Sequence, residues 1–190
     1  MENQITTCCS ELVIKDVIKI PPIAVNNELK ENVLNILKNK YENICCKYGY
    51  IFKVYNLSID NEILIEMEDN SCDNLIKTEF TIYTCLPNIN DKIIIKISKM
   101  DNALMVGING PMMCIIKTQE NLINSNYFYI NNNKIYVKKT NKPIVEDDYI
   151  EIIIKKYKLQ YNGNKSKIIL IGYINNITTE EESIKYFISN

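Results

Sequence analysis

Histidine and arginine are both missing from this 190-residue chain, and each absence excludes a kind of chemistry. Without histidine the commonest general acid–base group is gone, and a mixed cysteine–histidine metal site cannot be completed. Without arginine there is no bidentate fork for carboxylate, phosphate or guanine. All 22 basic residues are lysines, set against 23 acidic residues, for a formal net charge of −1. Attraction to nucleic acid must therefore come from local clustering. The five glycines form no glycine-rich phosphate loop. None of the seven cysteines has the C-x-x-C spacing of a zinc ribbon or a dithiol redox site. Their odd number, and an N-terminus unlike a secretory signal, read as unpaired thiols in a reducing compartment, packed as small hydrophobes. No apolar run approaches the roughly 20 residues that span a bilayer, so a soluble protein without membrane contact is expected. No serine or cysteine has an evident activating partner, so neither catalysis nor a cofactor is expected.

What is present is β-strand patterning around one helix. With 46% hydrophobic residues the chain can bury a core, and its length suits one or two small domains. Glu11 to Ile20 reads as a strand stopped by Pro21-Pro22, which cannot donate to a ladder. From Glu28 to about Ile44 the period changes to helical: Leu29, Val33, Ile36, Leu37, Tyr41 and Ile44 share a face, with Asn26 or Asn27 as the cap. Tyr48-Gly49-Tyr50 opens a strand through Ile59, and Glu62 to Met67 reads as a separate short one. The acidic run Glu66 to Asp73 lacks calcium-loop spacing and reads as a solvated turn. Ile76 to Cys85 alternates again, and Pro87 places a boundary near Leu86.

The second half centres on Lys92 to Lys117. Ile93, Ile95 and Ile97 alternate with Ile94, Lys96 and Ser98 in the period of a half-buried strand. Asp101-Asn102 and Asn109-Gly110-Pro111 are turns that divide the stretch into three strands. A connection from Thr118 holds a short helical turn, and Tyr127 to Lys139 reads as a hairpin about Asn131-Asn132-Asn133. Asp147-Asp148 caps a loop. Tyr149 to Leu159 and Lys167 to Asn175 are strands joined across Asn162-Gly163. About five strands from Asp91 to Asn175 suit one closed barrel. Thr178 and Glu181 form a capping box for a short C-terminal helix carrying Ile184, Phe187 and Ile188.

This order of parts resembles subunit seven of eukaryotic RNA polymerase II, together with its archaeal counterpart and the homologous small polymerase subunits of large DNA viruses. The local marks are Lys47-Tyr48-Gly49-Tyr50-Ile51 after the helix, the barrel opening with Gly110-Pro111, and the late strands YIEIIIKKYKL and IILIGYI. The resemblance implies an α+β chain: an N-terminal antiparallel sheet with one helix over residues 1–86, a five-stranded OB barrel over 87–176, and a short helix or tail over 177–190. It implies a non-catalytic accessory subunit of a multisubunit DNA-directed RNA polymerase. The first domain would dock on the core through Pro21, Tyr48, Gly49 and Tyr50. The barrel would face nascent single-stranded RNA, with a subunit-four-like partner alongside. Two stretches depart from the family: Glu42-Asn43-Ile44-Cys45 lacks the tip's usual Glu-Gly, and Asn102-Ala103-Leu104-Met105 lacks the glycine and aromatics of the first barrel turn. The abundance of Asn, Ile and Lys and the divergence of the chain point to a viral source, hence to the virion and a cytoplasmic viral factory; a cellular source would place it in the nucleus.

An OB groove needs cations for phosphate and flat rings for bases. The candidates are Lys96, Lys99, Lys117, Tyr136, Lys138, Lys139, Lys155, Lys156, Tyr157, Lys158, Lys165 and Lys167, with Lys155-Lys156-Tyr157-Lys158 the densest cluster. The same lysines suit a strand edge protected against aggregation. Two other readings stay open: a free-standing OB protein of translation or RNA decay, and a purely structural polymerase subunit.

Overall fold

The computed structural model describes residues 8–65, 74–101, 103–117, 128–131, 134–138, 140–162 and 165–184. It divides into two compact units, Cys9–Leu86 and a second running onward from Pro87.

The first unit is a four-stranded antiparallel sheet in the order β1-β4-β3-β2, with one helix. Its strands are β1 (Cys9–Ile20), β2 (Ile44–Cys46), β3 (Gly49–Ile65) and β4 (Asn74–Cys85), and its helix is α1 (Leu29–Tyr41). Period-two alternation sends Ile14, Ile18 and Ile20 of β1 and Ile76, Phe80 and Ile82 of β4 to one face, where Val33 and Leu37 of α1 meet them. The Tyr41 ring lies 5.5 Å from that of Phe80. Asp16 of β1 accepts from Lys40 Nζ at 2.7 Å and from the Tyr41 hydroxyl at 2.6 Å, pinning the end of α1 to the sheet.

Two boundaries differ from the sequence expectation. The helix ends at Tyr41, and Ile44 lies in β2. Asn43 adopts a left-handed φ of 62° and gives its N–H to the Ile51 carbonyl, which turns the chain before another helical turn can form. Glu42 assists by accepting from Val54 N–H at 2.9 Å. Secondly, Glu62 onward is no separate strand but the continuation of β3. The alternation fails because the ladder shifts register between Ile51 and Lys53, Tyr55 and Ser58, and Ile59 and Ile63. Asn56, at φ 53°, sits in the second shift. The acidic run Glu66 to Asp73 lies outside the described residues.

The second unit is a closed barrel of β5 (Lys92–Met100), β6 (Leu104–Asn109), β7 (Met112–Lys117), β10 (Tyr149–Asn162) and β11 (Lys165–Ile177). Neighbours run β5-β6-β7-β11-β10, and β10 returns to β5. All pairs are antiparallel except β7 with β11, which are parallel with Ile168 opposite Met112. This is a five-stranded Greek-key barrel, and it fits an OB fold. Its interior holds Ile95, Ile97, Met105, Cys114, Ile116, Ile152, Ile168 and Leu170. Room is tight: a Cβ on Gly107 would fall 2.5 Å from the end of the Ile95 side chain. The buried Asn109 amide is satisfied by the Ile94 carbonyl at 2.7 Å. Ile94 is fully buried too, and Glu151 opposite it is buried, so this part of β5 is covered on both faces.

Between β7 and β10 stands a two-stranded sheet of β8 (Phe128–Asn131) and β9 (Lys134–Val137), outside the barrel ladder. The Thr118 connection and the tips at Asn132-Asn133 and Gly163 fall outside the described residues. Asp147-Asp148 does close a loop: Asp147 N–H reaches the Ile97 carbonyl, Ile97 N–H reaches that of Asp148, and the Asp148 carboxylate accepts from Val145 N–H. A short helix, α2 (Glu180–Ile184), follows β11. There the Thr178 hydroxyl bonds with that of Ser183, 3.0 Å away, which replaces the expected box with Glu181. Phe187 and Ile188 lie outside the described residues.

Candidate interaction surfaces

No helix is long and apolar enough to cross a membrane, and no three metal-ligating side chains gather, among the described residues.

On the first unit, Pro21 is exposed and starts a 3-10 turn, Pro22–Ala24, closed by Ala24 N–H on the Pro21 carbonyl at 2.9 Å. The turn lifts Ile23 out of the sheet until it is 88% exposed. Sequence reasoning missed Ile23, although an isoleucine directly behind two prolines has no strand in which to hide. Tyr48 packs against the core cluster, with Lys47 Nζ 4.9 Å from its ring. Gly49 is buried at φ 99°, and a Cβ there would fall 2.2 Å from the Cys85 carbonyl oxygen. Only glycine fits that approach, so this part of the motif sets backbone geometry. Tyr50 belongs to an aromatic row on the sheet face opposite α1: its ring is 5.1 Å from Phe52, which is 5.5 Å from Tyr83.

Beside that row, Cys9 stands directly across from Cys85. The Cys85 thiol hydrogen-bonds to it and favours its thiolate, burial opposes this, and Tyr83 adds a second bond, leaving Cys9 lowered to about 7. Cys114 inside the barrel behaves in the opposite way. Burial pushes it up to about 12, against a modest contrary pull from a backbone bond to Gly172.

The structure divides the lysine-rich candidates. Lys155, Lys156, Tyr157 and Lys158 are all exposed on β10. Register shifts after Ile154, so Lys155 is a bulge residue, after which Lys156 faces Ile171, Tyr157 faces Leu170 and Lys158 faces Ile169. Lys156 and Lys158 thus share the barrel's outer face, while Tyr157 shares the inner-facing side with Leu170. Tyr161 follows Tyr157 on that side and is 62% exposed. It was absent from the sequence candidates, although the alternation Lys156, Tyr157, Lys158, Leu159, Gln160, Tyr161 already separates the two faces. Tyr136 stacks on Tyr129 at 5.2 Å in the β8–β9 hairpin, and Lys138 is exposed in the turn after it. Lys96 is held by Asp147 at 2.9 Å, a bond that raises its pKa, and lies 5.8 Å from the Tyr149 ring. Lys99 and Lys117 are exposed, Lys167 contacts Met113 sulfur at 3.7 Å, Lys165 begins β11, and Lys139 lies outside the described residues.

The molecule is thus of a recognisable class: a helix-backed antiparallel sheet followed in the chain by a closed five-stranded barrel. No family model matches it. A protein of Acanthamoeba polyphaga mimivirus named "Putative DNA-directed RNA polymerase subunit" is 22% identical over 173 residues, covering 91% of this chain and 85% of that protein. The likeness therefore spans both units and is consistent with a viral polymerase subunit.

Proposed function

We propose that the chain is a non-catalytic accessory subunit of a viral multisubunit DNA-directed RNA polymerase, of the subunit-seven kind. The observation that carries this is the end-to-end likeness to a viral protein named for a polymerase. The order of parts supports it, with the helix-backed sheet first and a barrel that fits an OB fold second. In this reading the first unit docks on the polymerase core through the projection at Pro21 and Ile23, with Tyr48 and Gly49 shaping the sheet behind it and Tyr50 in the aromatic row. Its place is the virion and the viral factory.

The test is affinity purification of the tagged full-length chain from infected cells. Co-recovery of the two large polymerase subunits, lost on Ile23→Asp, is the expected result. Recovery with ribosomes or decay factors and no polymerase would establish the free-standing alternative instead.

Contact with nascent RNA belongs to the same proposal and is supported by the β10–β11 hairpin. That hairpin joins the last two barrel strands, a position where OB folds bind oligonucleotides. Tyr157 and Tyr161 share one face of it beside Lys155, and stacking on such rings is worth roughly 1–3 kcal/mol per base. Replacing Lys155, Tyr157 and Tyr161 by alanine should weaken single-stranded RNA binding about tenfold or more at low salt. Unchanged affinity would leave the barrel a structural element.

A further inference from the structure

The first unit pairs two cysteines in a way that the polymerase reading does not use. Cys9 is the first residue of β1 and Cys85 the last of β4, and the antiparallel register sets them directly opposite each other. The ladder between these strands runs from end to end without a register shift. Directly opposed residues on such a ladder lie about 4.5–5.5 Å apart at Cα, inside the roughly 4.4–6.8 Å that a disulfide spans. They also send their side chains to the same face of the sheet, and the two sulfurs are in hydrogen-bond contact. Both stand as thiols in the structure. Cys9 is half-buried, whereas Cys85 is wholly buried behind it. The other described cysteines are placed elsewhere. Tyr50 separates Cys85 from Cys45 along the same cross-strand row, which puts Cys45 two strand spacings, about 10 Å, from Cys85. Cys46 packs against the core under α1, and Cys114 is buried inside the barrel.

We propose that Cys9 and Cys85 form a peroxide-reactive dithiol, in which Cys9 attacks the oxidant and Cys85 resolves the product into a cross-strand disulfide. The oxidant is a hydroperoxide, with hydrogen peroxide the simplest. Cys9 loses its proton to solvent, and its sulfur gives an electron pair to one peroxide oxygen. The O–O bond breaks, hydroxide leaves, and Cys9 becomes a sulfenic acid. The Cys85 sulfur then attacks the Cys9 sulfur. As the S–S bond forms the S–O bond breaks, and the departing hydroxide takes the Cys85 proton and leaves as water. Two thiols and one peroxide thus become one disulfide and two waters, and two equivalents of a small thiol reverse the change by exchange. Exposure assigns the roles: Cys9 can meet a dissolved oxidant, while Cys85 is reached through Cys9 alone. Tyr83 adds a second hydrogen bond to Cys9. Burial first, and that bond second, raise the Tyr83 pKa and keep its phenol a donor. The bridge joins the first and last strands of the unit, closing a long loop of the kind whose cross-linking most restricts the unfolded chain. The inference is independent of the polymerase assignment.

The test treats the reduced full-length chain with hydrogen peroxide near neutral pH, blocks remaining thiols with N-ethylmaleimide, and maps the peptides by mass spectrometry without reduction. The expected result is a peptide pair joined through Cys9 and Cys85 within one chain, which dithiothreitol separates. Cys85→Ala should halt the reaction at its first step, so that dimedone labels Cys9 as the sulfenic acid. Cys9→Ser should slow thiol loss at least about tenfold, since the remaining partner is shielded. Mapping of the unsubstituted chain decides the question by itself, even if a variant misfolds. Cys9 driven to the sulfinic acid while Cys85 stays a thiol overturns the proposal. So does a bridge from Cys9 to any other cysteine, within the chain or between chains, or no thiol loss under peroxide that oxidises dissolved cysteine.

Discussion

Gly49 and Cys9 show how single residues carry consequences of the fold. Gly49 combines a positive φ with a carbonyl where a side chain would begin. Gly49→Ala should cost about 2–4 kcal/mol, read as a lower urea midpoint with unchanged slope. For Cys9 the consequence is reactivity. Its thiolate fraction grows as pH rises through about 7, so alkylation by iodoacetamide should follow that midpoint, while Cys114, at about 12, stays unmodified in the folded protein. Cys85→Ala removes the leading hydrogen bond and should move the Cys9 midpoint upward. The sequence shows none of this, because residues so far apart in the chain become neighbours only when β1 and β4 pair.

Elements were legible wherever one hydrophobic period held. The three strands from Lys92 to Lys117 were plain because Asp101 and Gly110 interrupt clean runs. The divergences fall at Asn43 and Asn56, each in a left-handed conformation that the chain adopts for a tertiary reason. Of the surfaces, the Tyr157–Tyr161 face was readable from alternation alone. Asp16 tests how α1 is attached. Burial raises its pKa, but Lys40, the Tyr41 hydroxyl and Val17 N–H outweigh that and hold it below its usual value of 3.8. A depressed carboxylate contributes stability that is full above its unfolded pKa and lost as pH falls through its folded value. Asp16→Asn should therefore destabilise by about 1–3 kcal/mol at neutral pH, with the difference closing in strong acid. Thermal unfolding of both proteins across that range checks it.

At the scale of the molecule, two units with separate cores are joined in one chain, and each is completed by its last strand. β4 supplies the centre of the first sheet, between β1 and β3, and β11 lies between β7 and β10 in the barrel. A chain ended at Asn162 should keep amide protection in β1, β3 and β4 and lose it in β5, β6 and β7, as hydrogen exchange can read directly.

The parallel pairing of β7 with β11 also has a meaning in time. A ribosome delivers Met112 well before Ile168, and at roughly 5–20 residues per second the edge of β7 waits seconds for its neighbour. During that interval the aliphatic strands of the barrel are exposed, at the stage when unpaired edges aggregate. In the first unit β1 likewise waits for β4, its neighbour in the sheet and the last strand of that unit to emerge. Slower translation after Lys117 should therefore lower the soluble yield of this protein.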